Sequence, residues 1–229
     1  MNFHEALLAR TTEQRAYLLG APVIERALAG GITRAVYVAF LTQAYHHVRH
    51  TVPLMMAVGS ALPERLAWLQ PELIHYLEEE QGHDQWILND IEAAGGDRVA
   101  AARSQPDLAT DAMIAFAYDM VRRRNPVGFF GMVHVLEGTS VALALRAADR
   151  LQSALGLPNR AFTYLRSHGT LDQQHVHHLA GILNRLDCED DREAVVRCAQ
   201  AIYWLYGNMF RRLDLQQTPA ATAAVRRTA

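Results

Sequence analysis

The chain has 229 residues, half of them hydrophobic and a fifth charged, with a formal net charge of −2, an ordinary composition for one sizeable globular domain. That balance, with no basic stripe, argues against nucleic acid or an anionic membrane surface as the main partner. All 22 basic residues are arginine, which excludes any mechanism that draws a lysine from this chain, such as a Schiff base.

No signal-peptide pattern stands at Met1, and no apolar run reads as long enough to span a bilayer. Cys188 and Cys198 make neither a disulfide framework nor a C-x-x-C pair, so a reduced, cytoplasmic setting is expected.

Periodicity reads as helix nearly throughout. A short amphipathic segment covers 3–18. Pro22 and the Gly30-Gly31 pair precede a longer helix over about 32–59, with Val36, Ala39, Phe40, Ala44 and Val48 on its apolar side. Pro53 should kink that helix or mark its re-start. Pro71, a good first-turn residue, opens 71–94, which Gly95-Gly96 closes. Asp107 to Arg124 follows and ends at Asn125-Pro126. The stretch 127–155 is apolar nearly all round and should lie buried. Helices over 159–184 and 190–213 complete a single all-α domain of seven to eight helices, residues 1–215. The tail, 216–229, has little to pack and is expected to be flexible.

The 159–184 helix carries His168, Asp172 and His175, an H-x3-D-x2-H spacing. At about 100° per residue all three leave one face within roughly 60° of arc. Two imidazoles and a carboxylate on one face make a metal half-site, against the plainer reading of a solvated His-rich face, since His177 and His178 lie nearby. A single helix does not close such a site. In 71–94, Glu80 and His83 are i, i+3 and Glu79 and His83 are i, i+4, so either acid can share a face with His83; E-x-x-H is a unit of carboxylate-bridged dimetal sites in bundles. Glu137 sits in the apolar helix, where an ionised carboxylate must be paired or bound to metal; His134, one turn earlier, is the alternative partner. Glu80, Glu137 and Asp172 with His83, His168 and His175 would bring two divalent irons close to about +1, with positions left open for dioxygen.

The order E-x-x-H, a lone Glu, then H-x3-D-x2-H resembles the haem-oxygenase-like diiron oxidases. The phrases Tyr45-His-His-Val-Arg-His50 and Glu78-Glu-Glu-Gln-Gly-His-Asp84 add to the likeness, which covers about 35–180. The resemblance implies a seven-helix haem-oxygenase-like bundle holding two irons per chain, or an Fe/Mn pair, with Glu80, His83, Glu137, His168, Asp172 and His175 as ligands. It implies activation of O2 to desaturate, cleave or N-oxygenate a small substrate, often an amino acid or a fatty acid. Several members add a carboxylate from the earlier helix, where this chain offers His46, His47 and His50; His46 and His50 (i, i+4) are the further candidates there.

Relatives of the same fold suggest other chemistry. A thiaminase-type reading needs a cysteine beside the central glutamate, and 132–142 holds none. The p-aminobenzoate-forming branch is thought to consume a lysine, which this chain lacks. A metal-free oxidase resembling pyrroloquinoline-quinone synthase would leave the carboxylates without a task. A non-catalytic metal- or partner-binding bundle is the remaining alternative. Arg49, Arg122, Arg123 and Arg124 are candidates for a substrate carboxylate, and Tyr45, Phe116, Phe129 and Phe130 for the cavity wall. A homodimer is the default if the chain associates.

Overall fold

A computed structural model describes residues 1–215, apart from the side chains of Leu171, Asp214 and Leu215; the expected flexible tail lies outside the described residues. The described residues form twelve α-helices, with short 3-10 or π-helical turns between them and no strand. They are α1 (Phe3–Arg10), α2 (Thr12–Leu19), α3 (Pro22–Leu28), α4 (Arg34–Val48), α5 (Thr51–Ala61), α6 (Gln70–Glu80), α7 (His83–Ala93), α8 (Arg98–Arg103), α9 (Leu108–Asp119), α10 (Phe129–Leu155), α11 (Thr163–Arg185) and α12 (Glu189–Leu215).

The all-α bundle is as expected, but three of the long segments are divided. Thr11 splits 3–18, its hydroxyl turned back onto the Leu7 carbonyl. Arg49 and His50 interrupt 32–59, and Pro53 falls in the first turn of α5, where its missing N–H leaves no intrahelical bond unmade. Gln81 and Gly82 interrupt 71–94. Gly82 takes φ 91°, a backbone conformation that only glycine adopts at little cost. Glu80 therefore ends one helix and His83 begins the next. Caps fix other starts: Asn2 and Glu5 form a reciprocal capping box on α1, and Asp97 and Asp107 accept backbone N–H groups at α8 and α9.

α10 is the axis of the bundle, packed along α11 and α12. With its lead-in it runs Pro126–Leu155 and is long and apolar enough to cross a membrane by length and composition. This corrects the expectation that no such run exists, yet 67% of its most apolar window is buried inside the fold. Gly131 sets the crossing with α12. A Cβ there would lie 2.2 Å from the Val195 carbonyl oxygen and 2.8 Å from the Ala199 nitrogen, so no other residue permits this approach. α12 is anchored at its first turn by Asp191, fully buried, which accepts two hydrogen bonds from Arg65 (2.5 and 2.9 Å) and one from Asn125 (2.9 Å).

The start of α11 is fixed from α7. Asp90, fully buried, accepts a 2.8 Å hydrogen bond from the Tyr164 backbone N–H in the first turn of α11. Tyr37 on α4 donates to the Ala161 carbonyl (2.7 Å) just upstream. These two bonds seat the helix that carries His168, Asp172 and His175.

Candidate metal centre

Four helices bring ionisable groups to one buried place. α11 presents Asp172 with Oδ1 3.4 Å from His168 Nδ1 and 3.5 Å from His175 Nδ1. Glu137, from the middle of α10, places Oε1 3.6 Å from His175 Nδ1. Glu80 and His83 meet across the Gln81-Gly82 break, Glu80 Oε2 lying 3.0 Å from His83 Nδ1. The His83 and His168 rings stand edge to face, centroids 4.8 Å apart, and Trp86 lies 4.1 Å from His83 on another side. Ligand atoms of Glu80, His83 and His168 all lie within 4.8 Å of one another.

The structure thus brings all six sequence-selected residues together. The E-x-x-H pair does not share one helix as expected; the turn at Gly82 folds it into proximity instead. Glu79 takes an outer place. Its Oε2 lies 2.8 Å from His175 Nε2, which leaves Nδ1 of that ring facing Asp172 and Glu137. This is how a carboxylate orients a ligating imidazole from behind.

His46 and His50 do not join the cluster. His46 Nε2 pairs with Ser104 Oγ at 2.8 Å and His50 Nδ1 with the Tyr118 hydroxyl at 3.1 Å, and neither lines the cavity at the centre. The histidine of α4 that lines it is His47, 3% exposed, against the Tyr206 ring at 5.6 Å. The sequence carried a signal for it, since His47 continues the Val36, Phe40, Ala44 face that points inwards, whereas His46 and His50 do not. His134 is not the partner of Glu137: it packs edge-on to His4 and Tyr203 instead, and burial pushes it down to about 4.

The charges show what the site lacks. Glu137 is pushed well above the usual carboxylate range, first by burial and then by the neighbouring Asp172 and Glu80 charges. Asp172 is held below it, because His168 and His175 outweigh the effect of burial. His175 is raised, foremost by Asp172, and His168 is raised because Asp172 outweighs burial. Among the described residues, Glu137 Oε2, His168 Nε2, both carboxylate oxygens of Asp172 and His175 Nδ1 are buried without a hydrogen-bond partner. Buried polar atoms are nearly always paired. Five orphaned N and O donors in one spot fit a divalent metal site of mixed imidazole and carboxylate ligation, and binding there would displace protons.

A cavity of about 150 Å3 runs from this cluster. Phe129 is in its wall, as expected; Phe130 is core, and Phe116 and Tyr45 lie under the guanidinium groups of Arg124 and Arg49. Among the described residues no arginine lines it. Arg122 stacks on Tyr118, while Arg123 and Arg124 pair with Asp119, so none of the four candidate arginines reaches the site.

An all-α bundle with carboxylates and histidines facing inwards from its middle defines a haem-oxygenase-like protein with a candidate metal centre. The model of the family described as iron-containing redox enzymes, of haem-oxygenase type, matches residues 38–207, and the chain belongs to that family. No curated protein matches it. Among solved structures it is similar to a domain of unknown function with a haem-oxygenase-like fold from Shewanella denitrificans, with TM-score 0.84 and 24% identity, covering 100% of this chain and 99% of that one. It is also similar to a TenA homologue from Pseudomonas syringae (TM-score 0.75, 11% identity, 92% and 93% covered) and to haem oxygenase-1 from Synechocystis (TM-score 0.72, 14% identity, 94% of each). At these identities the likeness concerns the fold.

Proposed function

We propose that the chain is an O2-dependent non-haem diiron oxidase or oxygenase acting on a small organic substrate. Glu80, His83, Glu137, His168, Asp172 and His175 would hold two iron ions, or an iron and a manganese. The observation that carries the reading is the set of buried donors on α10 and α11 that have no hydrogen-bond partner among the described residues. Family membership supports iron and redox chemistry. Bound there, the metal would supply the reduction of O2, with open positions for dioxygen.

The chain's own residues prepare that place. Glu79 Oε2 lies 2.8 Å from His175 Nε2 and holds that side of the ring by charge, leaving Nδ1 facing inwards. Trp86 and Tyr164 pack on His83 and His168 (centroids 4.1 and 4.7 Å) and hold the rings in place. The apolar wall excludes water from around the cluster. A metal-free oxidase would have no use for three buried carboxylates, and nothing in the cavity favours it.

The test is oxygen uptake by iron-loaded protein across a panel of fatty acids and amino acids. Uptake should accelerate with one class of substrate and be lost in Asp172→Ala. Uptake no faster than that of free ferrous ion, whatever is added, counts against it.

A further inference from the structure

A second group of imidazoles and carboxylates lies outside the centre, where side chains of α6 and α11 meet. Glu72, His75 and Glu79 are spaced i, i+3, i+7, which puts them within about 60° of arc on one face of α6. His178 stands one turn beyond His175 on α11. His178 Nε2 lies 2.9 Å from Glu72 Oε2 and His75 Nε2 lies 3.5 Å from Glu79 Oε2. The two rings stand edge to face, centroids 5.6 Å apart. The His75 side chain is 52% exposed and that of His178 39%, so an ion reaches both from solvent.

Two atoms of this group are shielded from solvent and have no hydrogen-bond partner among the described residues: His178 Nε2 and Glu79 Oε2. Donors about 2.1 Å from one divalent metal stand roughly 3.0–3.4 Å apart, close to the spacing of both pairs. Glu79 also joins this group to the centre. Its Oε2 lies 2.8 Å from His175 Nε2 on the inner side, and His175 Nδ1 lies 3.5 Å from Asp172 and 3.6 Å from Glu137. Each step is short enough for an ion to gain one ligand before it releases the last. The cavity wall along α10 is apolar, and a cation crossing it would shed its hydration with nothing in exchange.

We infer that Glu72, His75, Glu79 and His178 form an outer divalent-cation site that loads the metal centre by way of Glu79 and His175. The site stands on its own geometry; its loading role rests on the α10–α11 cluster being the metal centre. A turn of the exposed His75 side chain brings the two pairs around one ion. Arg185, 3.4 Å from Glu72 Oε1 and stacked on Trp68, keeps the site weak by its like charge. Once the centre is full, Glu79 is held at His175 and the outer site lacks a ligand, so two ions remain at saturation.

The experiment is rapid mixing of the metal-free chain with cobalt(II), followed by visible absorption of the bound ion, with ions counted at equilibrium. Below saturation the loading rate follows the affinity of the outer site. His75→Ala and His178→Ala should therefore slow loading about tenfold and leave two ions bound at the end. Arg185→Gln should speed it about threefold, a gain that the loss of a merely structural contact does not give. With the centre disabled in a Glu137→Ala, Asp172→Ala double variant, one ion should still bind loosely and be lost when His178→Ala is added. Unchanged loading rates in both histidine variants, or a rate and a final count that fall together, would overturn the inference. One loose ion lost in His178→Ala, with no tight ion in the wild type, would reject the central reading and keep the outer site.

Discussion

Asp90 gives the sharpest handle on how the fold positions the site. Its buried carboxylate on α7 accepts the Tyr164 N–H at 2.8 Å and lies beside Thr163 at the start of α11. Burial raises it from 3.8 to about 6. A carboxyl group raised in the folded state stabilises the fold fully below its unfolded value, and that contribution is lost as pH rises through the folded one. Two units at about 1.4 kcal/mol each put the loss near ~3 kcal/mol by pH 8.

Asp90→Asn keeps the acceptor and never ionises. It should therefore match the wild type near pH 4, gain on it between about pH 4 and 6, and stay ahead at higher pH. Asp90→Ala removes the cap and strands a buried N–H, at a cost of about 2–3 kcal/mol. Urea denaturation at pH 5, 6, 7 and 8 reads both, with ~3 kcal/mol moving the midpoint by about 1 M or more. A difference between Asp90→Asn and wild type that stays constant over that range would refute the reasoning, because it would mean that Asp90 ionises alike in the folded and unfolded chains.

Three other outcomes follow from the packing and the charges. Gly131→Ala drives a methyl group against the Val195 carbonyl at 2.2 Å, and should cost about 1–3 kcal/mol by separating α10 from α12, read by thermal unfolding. Arg65→Met leaves the buried Asp191 carboxylate with Asn125 alone. With Arg65 itself half exposed, the loss should be about 2 kcal/mol; since Arg65 foremost depresses Asp191, it should be present above pH ~4 and fade as acid protonates the carboxylate. Glu79→Ala should weaken iron binding roughly 10–100-fold through the misdirected His175 ring, with Glu79→Gln milder, measured by competition with a chelator.

How much of this was legible in the sequence depends on the range of the interaction. The H-x3-D-x2-H face needed only helical periodicity, and Asp172 lies within 3.5 Å of both flanking histidines. Glu137 was legible because a lone acid in an apolar helix demands a partner; that the partner is not His134 depends on which way each side chain leaves α10. The pairing of Glu80 with His83 was right in outcome and wrong in cause, because Gly82 turns the chain where an unbroken helix was read. The choice of His46 and His50 over His47 followed i, i+4 spacing rather than the apolar face of α4. Their partners, Ser104 and Tyr118, come from distant segments that no local pattern shows. The candidate arginines failed for the same reason, each being held by an acid or a ring outside the cavity.

The most direct test of the central claim is anaerobic titration of the metal-free chain with ferrous ion, counting ions bound at saturation. Two ions per chain are expected, with proton release on binding, and a stoichiometry reduced in both Glu137→Ala and Asp172→Ala. A chain that binds no iron, or that binds it equally well without those two carboxylates, would contradict the assignment of the α10–α11 cluster as the metal centre.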